Sequence, residues 1–279
     1  SSQYGIQIFN RPGNNVSDNI LIYNDYGINM QTAANSSVKN NNITNSLQRG
    51  INIVTSSYNL FDNNSISSNG YAIYIITSSN NNTFIRNSFS NNNSMYLDGT
   101  NTSFYSTTFN KIFGSVYFDT FNVSSGTFNI LENRFNINNA SVFLNSSYLP
   151  FMNRSATITL GGLPFINPTV FVDFDNGNKI VCPIDVCQLN SYSGGTISFD
   201  VSHFTNYSVG VVPNGTILAP QNGTINTTAQ QNFTINLSDE AGLQNATLFI
   251  YNASGLYNQT TISLGGATQA TVGIVITLA

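Results

Sequence analysis

The chain has 279 residues and 30.3 kDa, a length that suits two or three domains. Charged residues make up only 7 % and the net charge is −4, with the eight Lys and Arg scattered, which excludes the basic stripe that nucleic-acid binding requires. Hydrophobic content of 41 % excludes disorder and is enough to bury a real core. No signal peptide or membrane-spanning run is visible. The chain starts at Ser1 in mid-pattern and stops at Ala279 just after an apolar run, Val272-Gly273-Ile274-Val275-Ile276, so both ends read as trimmed from a longer precursor.

From the first residues onward a repeat dominates. The motif Gly5-Ile6-Gln7-Ile8 returns as Gly27-Ile28-Asn29-Met30, Gly50-Ile51-Asn52-Ile53 and Ala72-Ile73-Tyr74-Ile75. Ser94-Met95-Tyr96-Leu97, Ser115-Val116-Tyr117-Phe118 and Ser141-Val142-Phe143-Leu144 follow, and the first apolar residues are 22, 23, 22, 22, 21 and 26 apart. Between them runs a second motif at the same period. It reads Asn14, Val16, Asn19, Leu21, then Ser36, Val38, Asn41, Ile43, then Asn59, Phe61, Asn64, Ile66, then Asn82, Phe84, Asn87, Phe89. Weaker copies are Thr102, Phe104, Thr107, Phe109 and Phe128, Ile130, Asn133, Phe135.

Two interleaved motifs at one period predict a solenoid. Each coil has short strands of period-two alternation, with polar corners between them. One coil cannot bury its apolar face, whereas stacked coils can. Asparagine suits the corners because it tolerates left-handed backbone and can hydrogen-bond to its neighbour in the next coil. The pattern resembles the parallel β-helix repeat family, which includes NosD-like periplasmic proteins, pectate-lyase-type enzymes and archaeal surface proteins. The resemblance implies an all-β fold, a right-handed parallel β-helix of about seven coils over residues 1–148. It implies little about activity, because one fold hosts enzymes and non-enzymes.

After Leu144 the rhythm changes. Ala156–Leu160, Val170-Phe171-Val172, Ile180-Val181, Thr196–Val201 and Tyr207-Ser208-Val209 alternate with period two, and Asn176-Gly177 between apolar runs predicts a hairpin. These predict a small antiparallel β-domain over 149–212 that caps the open end of the solenoid. Residues 199–208 resemble the closing strand that follows β-helices in archaeal surface proteins. Pro213-Asn214-Gly215 reads as a linker, and 213–279 as strand-turn-strand at sandwich spacing. That last part resembles the immunoglobulin-like modules of archaeal and bacterial surface proteins, with too few strands for a complete sandwich.

Asparagine supplies the polar share that charge does not, and it forms N-x-S/T sequons at Asn15, Asn35, Asn42, Asn63, Asn81, Asn92, Asn101, Asn122, Asn139, Asn145, Asn153, Asn206, Asn214, Asn222, Asn226, Asn232, Asn236, Asn245, Asn252 and Asn258. A surface coated with sequons points to N-linked glycans as partners and to an extracellular or cell-surface location. Cys182 and Cys187, close in sequence, fit a local disulfide, which agrees with an oxidising compartment.

In the Gly-Ile-x-Ile strand the middle residue points outward, which places Asn29, Asn52, Tyr74, Tyr96, Tyr117 and Phe143 in line. The four aromatics read either as a ladder that stacks on itself or as a platform for sugar rings or a partner subunit. Two residues on, Asp98 and Asp119 are expected one above the other. They read as a solvated pair, a cation site for Ca²⁺, or the paired carboxylates of a glycosidase or lyase, which would also want a Lys or Arg base nearby. Asp173-Phe174-Asp175-Asn176-Gly177-Asn178 echoes the start of a Ca²⁺ loop but has Gly one residue early and no downstream Glu, so a hairpin turn explains it better. His203 is the single histidine and reads as structural. The chain therefore reads as a non-enzymatic surface protein: spacer, adhesin, or building block of a surface layer or filament, with self-association by β-strand addition as one route. The alternative is a carbohydrate-active enzyme or carbohydrate-binding protein using the outer face of the solenoid.

Overall fold

A computed structural model describes residues 2–90, 94–98, 101–124, 126–130, 133–174, 177–225 and 228–277, with Asn252 described by its backbone alone. The chain divides into two compact units: Ser1–Leu163 with Val170–Ser208, and Pro164–Thr169 with Val209–Ala279. The first is a parallel β-solenoid closed by antiparallel strands.

The first coil is β1 (Tyr4–Phe9), β2 (Asn15–Ser17) and β3 (Ile20–Ile22). The second is β4 (Tyr26–Gln31), β5 (Ser37–Lys39) and β6 (Asn42–Thr44). β7 (Arg49–Val54), β8 (Leu60–Asp62) and β9 (Ser65–Ser67) make the third, and β10 (Tyr71–Ile76), β11 (Thr83–Ile85) and β12 (Ser88–Ser90) the fourth. The fifth is β13 (Met95–Asp98) and β14 (Thr102–Lys111), one strand that pairs with both β11 and β12. Equivalent strands pair in parallel, Ile6 to Ile28 to Ile51 to Ile73 to Met95.

The inward residues of these short strands form the core. Phe61, Phe84, Phe104 and Phe121 stack ring on ring at 4.5, 4.9 and 4.5 Å, all fully or almost fully buried. Each such side chain contributes roughly 1.5–3 kcal/mol by burial alone. Glycine opens the repeated strand for a steric reason. A Cβ on Gly27 would fall 2.3 Å from Ile43 Cγ2 and 2.6 Å from the Gly50 carbonyl oxygen.

The corners are built from residue pairs with divided labour. The first residue adopts left-handed backbone and faces water: Asp18, Asn40, Asn63 and Arg86 have φ of 61, 53, 54 and 55°. The second points inward and bonds the next coil. Asn19, Asn41 and Asn64 each donate both the backbone N–H and Nδ2 to the Oδ1 of Asn41, Asn64 and Asn87, at 2.9 to 3.1 Å. Nδ2 of Asn41, Asn64 and Asn87 also donates to the carbonyls of Val16, Val38 and Phe61. This explains the Asn40-Asn41 and Asn63-Asn64 doublets: one residue tolerates the turn and the other satisfies buried backbone.

The stack has five coils, not seven, and its parallel pairing ends at Asn110 rather than near 148. β15 (Gly114–Val123) turns back and pairs antiparallel with β14, and β16 (Thr127–Ile130) pairs antiparallel with β13. Inside–outside alternation has period two whichever way a strand runs, so the motif at Val116 could not reveal the reversal. β17 (Phe135–Asn138), β18 (Ser141–Leu144), a 3-10 turn at Pro150–Met152 and β19 (Ala156–Leu160) follow. Phe118 and Phe135 meet Phe109 edge-on, Phe204 meets both of them edge-on, and Phe151 stacks on Phe121, so an aromatic plug covers the last coil. Most of 149–208 thus packs in the same unit as the coils.

Next come β20 (Thr169–Asp173), β21 (Lys179–Val181), β22 (Cys187–Ser193), β23 (Thr196–Val201) and β24 (Asn206–Gly210). β19, β22 and β23 extend the sheet of β14 and β15, and β17, β18, β24, β20 and β21 form another. β20 and β21 pair antiparallel, with the Asp173 carboxylate accepting the Gly177 N–H; Asp175 and Asn176 lie outside the described residues. Cys182 and Cys187 are joined in a disulfide.

The second unit holds β25 (Asn214–Ala219), β26 (Gln230–Asn252) and β27 (Gly255–Thr277). They form one antiparallel sheet in the order β25-β26-β27, not the two packed layers of an immunoglobulin-like sandwich. The expected short strands run together into two 23-residue strands because the β26–β27 hairpin keeps its pairing across bulges near Leu243 and Tyr251.

Candidate functional site

The aromatic face lies on the sheet formed by β1, β4, β7, β10 and β13. Its outward column is Gln7, Asn29, Asn52, Tyr74 and Tyr96. A neighbouring column, Tyr4, Tyr26, Arg49 and Tyr71, stands beside it. Sequence reasoning passed over this second column, although its members sit two residues before Ile6, Ile28, Ile51 and Ile73 at the solenoid period.

The two columns interlock. Arg49 Cζ lies 3.6 Å from the Tyr74 ring centroid and 5.4 Å from that of Tyr26. Its Nη1 donates to Asn52 Oδ1 at 2.7 Å, and Asn52 Nδ2 donates to Asn29 Oδ1 at 2.6 Å. The other face of Tyr74 is covered by Tyr96, 4.6 Å away with planes 17° apart, while Tyr71 meets Tyr74 edge-on. Tyr26 donates its hydroxyl to Gln48 Oε1 at 2.7 Å. The result is a continuous stack, Tyr26–Arg49–Tyr74–Tyr96, that presents ring edges to solvent. Desolvation first, and then the Asp98 carboxylate, raises the Tyr96 hydroxyl above its ordinary pKa.

Only two of the four expected aromatics belong to this face. Tyr117 is on β15, opposite Thr108 and Thr157, and Phe143 is on β18, opposite Asn136. The strand reversal at Gly114 carries both into other sheets. It also separates the two aspartates. Asp98 faces Thr127 of β16 and accepts its hydroxyl at 3.1 Å, while Asp119 is exposed on β15. They stand in different sheets, not one above the other as the repeat period predicted.

Elsewhere on the solenoid Arg86 grips the Asp62 carboxylate through Nε and Nη2 at 2.6 to 3.0 Å. That pair raises the Arg86 pKa and, being exposed, contributes little stability. His203 stacks on Phe174 and lies 3.2 Å from Ser202 Oγ. Of the sequon asparagines, Asn92, Asn226 and the Asn252 side chain lie outside the described residues; each of the others is exposed or half-buried.

Residues 1–120 match the family model described as NosD, periplasmic copper-binding protein. No curated protein and no solved structure matches the chain. The donors that suit copper are imidazole, thiolate and thioether. This sequence offers one histidine, two cysteines and three methionines. The cysteines are bonded to each other and Met30, Met95 and Met152 are fully buried in the core. Among the described residues no three His, Cys, Asp or Glu side chains converge. The residues present therefore do not fit a copper site, yet the five stacked coils make the N-terminal part of this chain a parallel β-helix, and over residues 1–120 it is similar to the NosD family.

Proposed function

We propose that this chain is a non-enzymatic structural protein of the cell envelope, working outside the cytoplasm as a rigid element of a surface layer, filament or adhesive stalk. The observation that carries the reading is the Tyr26–Arg49–Tyr74–Tyr96 stack, in which Tyr74 is covered on both faces. A sugar ring binds an aromatic platform through an open ring face, and both faces of Tyr74 are occupied. A hydrolase or lyase needs converging carboxylates, and Asp98 and Asp119 stand in different sheets. The disulfide and the envelope location in the name of the matching family both agree with an oxidising compartment.

Self-association by strand addition is a second element of this reading. β27 is an edge of its sheet among the described residues, and its 23 residues include no Asp, Glu, Lys or Arg. Natural edges are commonly blunted by charge or proline, and an edge without either is open to another strand. Beside it, Phe233, Ile235, Leu237, Leu248, Val272 and Ile274 line an apolar hollow on the sheet face. Fractionation of source cells tests the location, and incubation with acidic and neutral polysaccharides plus Ca²⁺ tests the absence of catalysis. Recovery from the cytosol, or saccharide release abolished by Asp98→Asn or Asp119→Asn, would overturn the reading.

A further inference from the structure

Within the coils, the buried asparagines and the sequon asparagines are different sets. Asn19, Asn41, Asn59, Asn64, Asn82 and Asn87 point inward, and the residue two positions on is apolar and also inward: Leu21, Ile43, Phe61, Ile66, Phe84 and Phe89. No hydroxyl can occupy that position without entering the core. Their Nδ2 protons are also committed; that of Asn41 bonds Val16 O, Lys39 O and Asn64 Oδ1. Sequons fall instead on the outward residues. Asn15 with Ser17 on β2 and Asn42 with Thr44 on β6 place both members of the sequon on the solvent face of one strand. Asn35 and Asn101 occupy left-handed corners with φ of 55 and 61° and are exposed.

Alternation alone would produce that segregation, so it does not by itself mark a modification. The second observation is what these asparagines stand beside. Asn42 is the register partner of Ile20, which is 71 % exposed, and Thr44 that of Ile22, which is also exposed. The corner of Asn35 is followed in the next coil by that of Tyr58, 62 % exposed, and then by that of Asn81. Large bare side chains on the surface of a chain with only 7 % charged residues are an association liability unless something covers them. The sequons lie where a bulky hydrophilic group would cover them. By contrast, none falls in β1, β4, β7, β10 or β13, the strands that carry the tyrosine and arginine columns.

We propose that N-linked oligosaccharides are attached at Asn15, Asn35, Asn42 and Asn101, with those at Asn35 and Asn42 shielding the apolar residues beside them and all four leaving the Tyr74 face bare. The inference rests on the extracytoplasmic reading above. In the reaction, Nδ2 of the asparagine attacks the anomeric carbon of a lipid-pyrophosphate-linked oligosaccharide. The N–C bond forms as the C–O bond to pyrophosphate breaks, the lipid pyrophosphate leaves, and the proton lost from Nδ2 passes to solvent; nothing is oxidised or reduced. The remaining Nδ2 proton stays available for a hydrogen bond. Asn206 is the internal control: it is a sequon, but half-buried, with its Oδ1 accepting the Leu144 N–H.

The test is peptide mapping by mass spectrometry of the native protein purified from source-cell envelopes. Peptides holding the four named asparagines are expected to be heavier by whole monosaccharide residues, with fragmentation placing the sugar on Asn42 and not on the adjacent Asn41, and the peptide holding Asn206 to be unmodified. Envelope protein with all four positions bare, or with sugar only on serine and threonine, overturns the inference while leaving the structural reading standing. Recovery from the cytosol overturns both. A second measurement is Asn42→Gln expressed in the source cells, which should lose one glycan and bind a hydrophobic dye severalfold more strongly; unchanged dye binding with the glycan lost would refute the shielding role.

Discussion

Replacing Asn64 by alanine probes the ladder that holds the coils in register. Asn64 is 1 % exposed, and its side chain makes four hydrogen bonds of 2.9 to 3.0 Å. Oδ1 accepts the Asn41 N–H and Asn41 Nδ2, and Nδ2 donates to Val38 O and Asn87 Oδ1. After truncation Asn41 Nδ2 keeps the carbonyls of Val16 and Lys39, and Asn87 Oδ1 keeps the Asn64 N–H. The Asn41 N–H and the extra bond to Val38 O have no replacement. The unsatisfied Asn41 N–H costs about 1–3 kcal/mol and the lost extra bond about 0.5–1.5, so Asn64→Ala should lose about 1.5–4.5 kcal/mol, a large share of the roughly 5–15 kcal/mol that domains have. The control is Asn63→Gly next door, where glycine accepts the left-handed φ of 54° on an exposed residue. Denaturant unfolding followed by circular dichroism measures both. Equal midpoints for the two variants, or a loss below about 1 kcal/mol for Asn64→Ala, would refute the claim that inward asparagines hold the coils together.

Phe84 is sandwiched between Phe61 and Phe104, so Phe84→Ala should cost about 3–5 kcal/mol by the same assay, whereas removing the exposed Tyr58 ring should change it by less than about 1 kcal/mol. Burial pushes the Tyr207 hydroxyl above its ordinary 10.0. The folded state then holds that proton more tightly than the unfolded chain, so this group's contribution is complete below pH 10 and declines as pH rises further. Tyr207→Phe should flatten the alkaline limb of a stability–pH curve while losing the bond to the His203 carbonyl. Removing the Asp98 carboxylate with Asp98→Asn should lower the Tyr96 titration midpoint seen by ultraviolet absorbance, and an upward move would contradict the assignment.

The solenoid was legible because its signal is redundant. Gly27, Ile28, Met30, Val38, Asn41 and Ile43 each recur at the coil period with a physical role that no substitute fills as well. The length of the solenoid was not legible, because Val116 and Phe118 obey the same inside–outside rule in an antiparallel strand. That one reversal carried Tyr117, Phe143 and Asp119 away from the positions that counting assigned them. Arg49 was missed because charge at a strand edge usually means a solvated side chain, and only its distance to Tyr74 reveals the stack. In the last 65 residues or so, alternation located strands but could not distinguish a sandwich from one long ribbon, since both bury alternate residues.

The claim that the Tyr74 face is a structural stack rather than a sugar platform is tested most directly by tyrosine fluorescence, which the chain's lack of tryptophan makes the native reporter. Titration with neutral and acidic polysaccharides should leave the emission unchanged, while Arg49→Ala alone should alter it by uncovering the Tyr74 ring. A saturable polysaccharide-dependent change that Tyr96→Ala abolishes would contradict the account.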